Sequence, residues 1–218
     1  ELRLHPGSKG FWRNWSNHYD DELFRRLLAE ALAGSPVYAD LFDGGGALAQ
    51  DAVSLFDAIF DLGGAGGDQQ LTAELTALKL NLAVSTSEDP EIRAMQSNDD
   101  ICEDCLLVLE DYPGAEELLR SLSGAIRVGG LTLGDLVAAV ESLWAGELGA
   151  GFHLYDLQDA GDVTLLASVV EGTNQGRTLL ADPASYPDNP TCVKQPGLPD
   201  GTEGMLYEAV LDITGGLP

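Results

Sequence analysis

The sequence predicts a mainly α protein with a smaller β/loop-rich C-terminal region, an α+β arrangement of a helical bundle-like domain plus short strands. Three observations predict it. Leu71, Leu75, Leu78 and Leu82 recur at helical spacing. Acidic or Gly/Pro punctuation precedes successive apolar stripes through the first two thirds of the chain. Beyond Gly149-Ala150-Gly151 the stripes give way to imperfect alternation and a proline-laden stretch. The expected organisation is an extended N-terminal arm over 1–8, a helical domain over 9–149, and a β/loop-rich region over 150–218.

In the arm, Leu2 and Leu4 alternate with Arg3 and His5 until Pro6-Gly7 stops the pattern. Ser8 to Trp15 holds two of the three tryptophans, Trp12 and Trp15, beside Gly10 and Phe11. Each large ring removes roughly 150–250 Å² from water when buried, so the stretch reads as an aromatic anchor for the helical body. The three-residue step from Trp12 to Trp15 puts both on one face of a helix. Gly10 would let the backbone approach another element closely.

Asp20-Asp21-Glu22 opens a helix, since acids suit the positive end of the dipole. Leu23, Leu27 and Ala31, with Phe24 and Leu28, form its apolar stripe. Val37 to Phe42 suits a single helical turn, and Gly44-Gly45-Gly46 a tight turn. A second helix is expected over 48–62, with Leu48, Ala52, Leu55, Phe56 and Ile59 inward. Asp68 is placed to cap a third over 69–84. Ser87-Glu88-Asp89-Pro90 opens a short helix carrying Ile92 and Met95, and Asn98-Asp99-Asp100 precedes another over 101–109. Pro113 suits the start of a helix through 115–122. Thr132 or Leu133 begins the last strong helix, ending near Trp144. Residues 152–157, 163–170 and 205–214 read as short strands, although Leu165-Leu166-Ala167 would also suit a helix. Tyr207, Leu211 and Ile213 lie in the terminal strand. Residues 171–204 form a loop of the length that marks a binding segment or linker.

The net charge is −25, from 36 acids against 11 bases. Phosphate neutralisation needs a basic face, so nucleic acid is excluded as a partner. No run reaches the ~18 apolar residues of a membrane span, so no membrane insertion is expected. A start at Glu1 fits a mature protein whose leader has been removed. The acidity suits solubility, a saline habitat or divalent-cation binding.

The three cysteines, Cys102, Cys105 and Cys192, predict one disulfide and one remaining thiol in an oxidising compartment. A bond from Cys192 to either member of the CxxC pair would staple the proline-rich loop to the helical domain, closing a loop of about 90 residues. Zinc would need Cys192 and a histidine to complete four ligands. The acidic clusters lack the spacing of a calcium loop, and calcium is the one cofactor they leave open. The three histidines are scattered, with no nucleophile–base pairing, H-E-x-x-H or G-x-S-x-G, so no catalytic residue is assigned and the chain is read as a non-enzyme.

Ser8-Lys9-Gly10-Phe11-Trp12-Arg13-Asn14-Trp15 resembles the T-Q-G-Y-W-K-N-H opening of a group of secreted bacterial and archaeal modules. Leu71 to Asn81 is similar to their later L-A-x-Q-L-x-A-A-K-L-N block, including Lys79-Leu80-Asn81. Trp15 stands where the motif has histidine, and His18 lies one turn on. The resemblance implies an extracellular or cell-surface location. Lys79 and Asn81 are expected to cap or pair with the backbone of the anchor.

These readings converge on a secreted structural protein, a self-assembling subunit of an extracellular filament or surface layer. Its homo-oligomer or polymer contacts would be Leu2, Leu4, Tyr207, Leu211 and Ile213, with the C-terminal loop. The alternative is a secreted carbohydrate- or calcium-dependent binding or adhesion module, using exposed aromatics such as Tyr155, Tyr186 or Trp144.

Overall fold

The computed structural model describes residues 6–62, 67–95, 101–124, 130–144 and 161–179. These are mostly helical. Helix α1 (Lys9–Arg13) and a 3-10 turn (Trp15–Asn17) lead into α2 (Asp21–Leu32). A 3-10 segment (Pro36–Leu41) follows, then α3 (Ala52–Leu62), α4 (Gly67–Thr86) and the short α5 (Pro90–Arg93). Helices α6 (Ala115–Ser123), α7 (Leu133–Leu143) and α8 (Gly161–Asn174) complete the body.

The organising element is α4. All eight residues from Leu71 to Leu78 are buried, on every side of the helix. A helix with no wet face is a core helix. Here α1, α2, α3, α5 and α8 pack around it, and α6 and α7 pair with each other. Local chemistry sets the starts. Ser8 Oγ accepts from Phe11 N, Asp20 from Leu23 N at 2.8 Å, and Asp89 from Glu91 N at 2.8 Å. Thr132 and Asp135 form a reciprocal capping box at α7. The glycine turn after Phe42 is tied by Asp43 Oδ1, which accepts from the amides of Gly45 and Ala47, both at 2.9 Å. Phe42 bridges to Leu48 across that turn, which delays α3 to Ala52 rather than Leu48.

Three local readings are corrected. Residues 163–170, read as a strand from their β-branched residues, lie within α8. Tertiary packing overrides that propensity: Val163, Leu166, Ala167, Val169 and Val170 are buried, and α8 packs on α4. Thus α7 is not the last strong helix. Residues 101–109, read as a helix, run as an extended segment. Leu106 bridges to Thr132 and Leu107 to Leu179, while Leu107 N donates to Leu131 O and Val108 N to Thr178 O. Among the described residues these bridges, with Phe42 to Leu48, are the only β pairing, and the expected short strands are not seen. Residues 152–157 and 205–214 lie outside the described residues.

Candidate functional site: the anchor junction on the central helix

Four side chains on α4 and α3 receive the N-terminal anchor. Asn81 does most of this. Its Oδ1 accepts from Gly7 N at 3.0 Å and from the Trp12 indole Nε1 at 2.9 Å, and its Nδ2 donates to Gly7 O at 2.6 Å. One amide therefore satisfies both backbone groups of Gly7 and the only polar atom of a fully buried tryptophan. On the α3 side, Trp15 Nε1 donates to Asp57 at 3.2 Å, and the Trp15 ring stacks on Phe24 at 3.9 Å between centroids. Phe24 meets Phe56 edge-on. Arg13 pairs with Asp61 at 2.9 Å, but both are so exposed that the pair adds little.

The fourth group is Glu74, whose side chain is 3% exposed. Lys9 Nζ lies 2.9 Å from its Oε1, and Asn174 Nδ2 donates to its Oε2 and to its backbone oxygen, both at 2.9 Å. A buried carboxylate needs such partners. Glu74 thus ties both α1 and α8 to α4. Asn174 Oδ1 remains buried with no hydrogen-bond partner among the described residues. Lys79 is used elsewhere: its Nζ donates to Glu141 of α7 at 2.8 Å.

Trp12 and Trp15 are buried and Phe11 half-buried, so the rings do anchor the segment. Asn81 meets the backbone of Gly7, just ahead of the anchor, and the anchor itself through the Trp12 indole rather than its backbone, whereas Lys79 pairs with Glu141. Gly10 is exposed, and a Cβ on it would meet only Ser8 Oγ at 3.7 Å. The close approach belongs to Gly7, where a Cβ would sit 2.7 Å from Asn81 Oδ1 and 3.2 Å from Trp12 Nε1. The reading of Gly10 as the close-contact glycine is therefore corrected. Cys102 and Cys105 pair with each other, their Cα atoms 5.2 Å apart. Trp144 is fully buried and offers no face to a ligand. Leu2, Leu4, Tyr155, Tyr186, Cys192, Tyr207, Leu211 and Ile213 lie outside the described residues.

Two further sites went unread in the sequence. Gly172 of α8 lies under Tyr112: a Cβ there would sit 1.9 Å from the phenol oxygen and 2.8 Å from Cζ. Burial raises the Tyr112 pKa, and the nearby Arg177 charge opposes the shift. An open cleft of about 550 Å³ lies between α2 and α5, with Tyr19, Leu23, Arg26 and Met95 among its lining. Arg26 is bound to Asp89 at 2.6 Å and to Glu91, and the hydrogen bond to Glu91 raises its pKa. Phe11, His18 and Tyr19 cluster nearby, with the first two stacked at 5.5 Å. Among the described residues no group of three or more His, Cys, Asp or Glu could hold a metal ion, and no helix is long and apolar enough to cross a membrane.

Comparison with family models, curated proteins and solved structures finds no match to this chain.

Proposed function

We propose that the chain is a secreted, non-enzymatic structural subunit that assembles with copies of itself into an extracellular filament or surface layer. The observation that carries the reading is the Asn81 clamp. It fixes Gly7, the residue that joins the Leu2/Leu4 sequence to the helical body, by both backbone groups. An arm with a fixed root and alternating Leu2 and Leu4 suits strand addition to a neighbour. The polar side chains of α4 support the same reading, because Glu74, Lys79 and Asn81 are spent on cross-links between helices. The resemblance of Ser8–Trp15 to secreted modules supports the location.

The test is electron microscopy and light scattering of the full chain beside a Leu2→Asp/Leu4→Asp variant. Regular polymers from the parent and their loss in the variant are expected. Equal assembly by both would remove the arm from the account.

The cleft beside Tyr19 favours a second reading, a secreted carbohydrate- or calcium-dependent adhesion module. A ligand that binds the folded state raises the melting temperature by mass action. That reading expects a rise with a saccharide or calcium while the protein stays monomeric.

A further inference from the structure

We propose that Cys102–Cys105 is a reducible latch on the start of α7, a thiol–disulfide exchange site whose opening frees a local segment and leaves the helical body folded. The bond closes a loop with a sequence separation of three. So short a loop constrains the unfolded chain far less than a long one, and its effect is therefore local.

That locality has a definite target. The turn between the two cysteines holds the first amides of α7. Glu103 O accepts from Gly134 N and Cys105 O from Leu133 N, both at 2.9 Å. A Cβ on Gly134 would lie 3.4 Å from Glu103 O, so the turn and the helix start are in close contact. The segment continues into the bridges to Thr132 and Leu179, which join the start of α7 to the chain leaving α8. The disulfide fixes the first residues of the segment that touches both.

The two sulfurs are not equivalent. Cys102 is half-buried, whereas Cys105 is 2% exposed. An incoming thiolate therefore attacks Cys102 Sγ. The new bond joins the thiol's sulfur to Cys102, and the Cys102–Cys105 bond breaks. Cys105 leaves as a thiolate 3.0 Å from the Cys102 amide nitrogen, which donates to it, and then takes a proton from solvent. A second thiolate attacks the thiol's sulfur in the mixed disulfide and releases Cys102. In sum the protein disulfide gains two electrons and two protons, and two small thiols become one disulfide. Glu103 and Asp104, both exposed between the cysteines, repel an anionic thiol. Dithiothreitol, which carries no charge beyond its attacking thiolate, is therefore the probe.

The experiment is peptide-resolved hydrogen exchange on the full chain, oxidised and then reduced with dithiothreitol, with peptide mass mapping of the 102–105 link. Reduction is expected to speed exchange at Leu133 and Gly134 by at least about tenfold while the amides of α4 keep their protection. A Cys102→Ser/Cys105→Ser variant should show the same pattern without reductant. Three results would each overturn the latch: free thiols at both positions under oxidising conditions, unchanged exchange at Leu133 and Gly134 on reduction, or loss of protection throughout α4.

Discussion

Asn81 carries more of the junction than any other side chain, because three hydrogen bonds end on it inside the core. Asn81→Leu leaves the Trp12 indole and both groups of Gly7 without partners, at a cost of about 1–3 kcal/mol for each buried polar group stranded. Urea denaturation should show a total loss of about 3 kcal/mol or more. A loss under about 1 kcal/mol would mean that water replaces the amide. Gly172 makes a second residue-scale prediction. Gly172→Ala drives a methyl into Tyr112 and should destabilise by about 1–3 kcal/mol. In Tyr112→Ala the same change should cost less, a coupling that a double-mutant cycle measures. Tyr38 makes a third. It is fully buried with its hydroxyl 2.9 Å from Thr76 Oγ1, and burial pushes its pKa up in the folded state. Ionisation is thus easier in the unfolded chain, and the stability tied to the neutral phenol is lost as pH rises beyond about 10. Between neutral pH and about pH 11 the parent should lose more stability than Tyr38→Phe. Parallel pH profiles would contradict this.

At the scale of elements, α4 dominates. Leu75→Ala should cost about 2–5 kcal/mol, the range for a buried leucine whose cavity does not collapse, whereas Ser54→Ala on the exposed side of α3 should change little. Thermal or urea unfolding checks both. The same helix was the most legible element in the sequence, because four leucines at helical spacing fit nothing else. The helix openings at Asp20, Asp89 and Thr132 were legible too, since each cap is a local event between neighbours, but Asp68, read as the cap of the third helix, lies inside α4, which begins at Gly67. The misreadings have a common cause. Val163, Val169 and Val170 favour strand locally, but their burial against α4 decides the outcome. Leu106 to Leu109 form a short apolar run with no period to separate helix from extended chain. Within the junction, Asn81 could be picked out by its place in the second block. Gly7 and Glu74, and Gly172 outside the junction, could not, because their roles depend on what packs against them from distant parts of the chain, even though Glu74 lies in that same block.

For the whole molecule, charge and assembly are linked. A net charge of −25 opposes both compaction and the approach of a second copy. Salt shortens the range of that repulsion. The urea midpoint should therefore rise from low to molar sodium chloride, and a flat or falling midpoint would show that the repulsion is too weak to matter. Self-association should strengthen over the same range. The most direct measurement of the central claim is sedimentation velocity on the unmodified chain across protein concentration, salt and calcium. A self-assembling subunit should give species that grow with concentration and with salt into regular polymers. A single monomer boundary under every condition would contradict it.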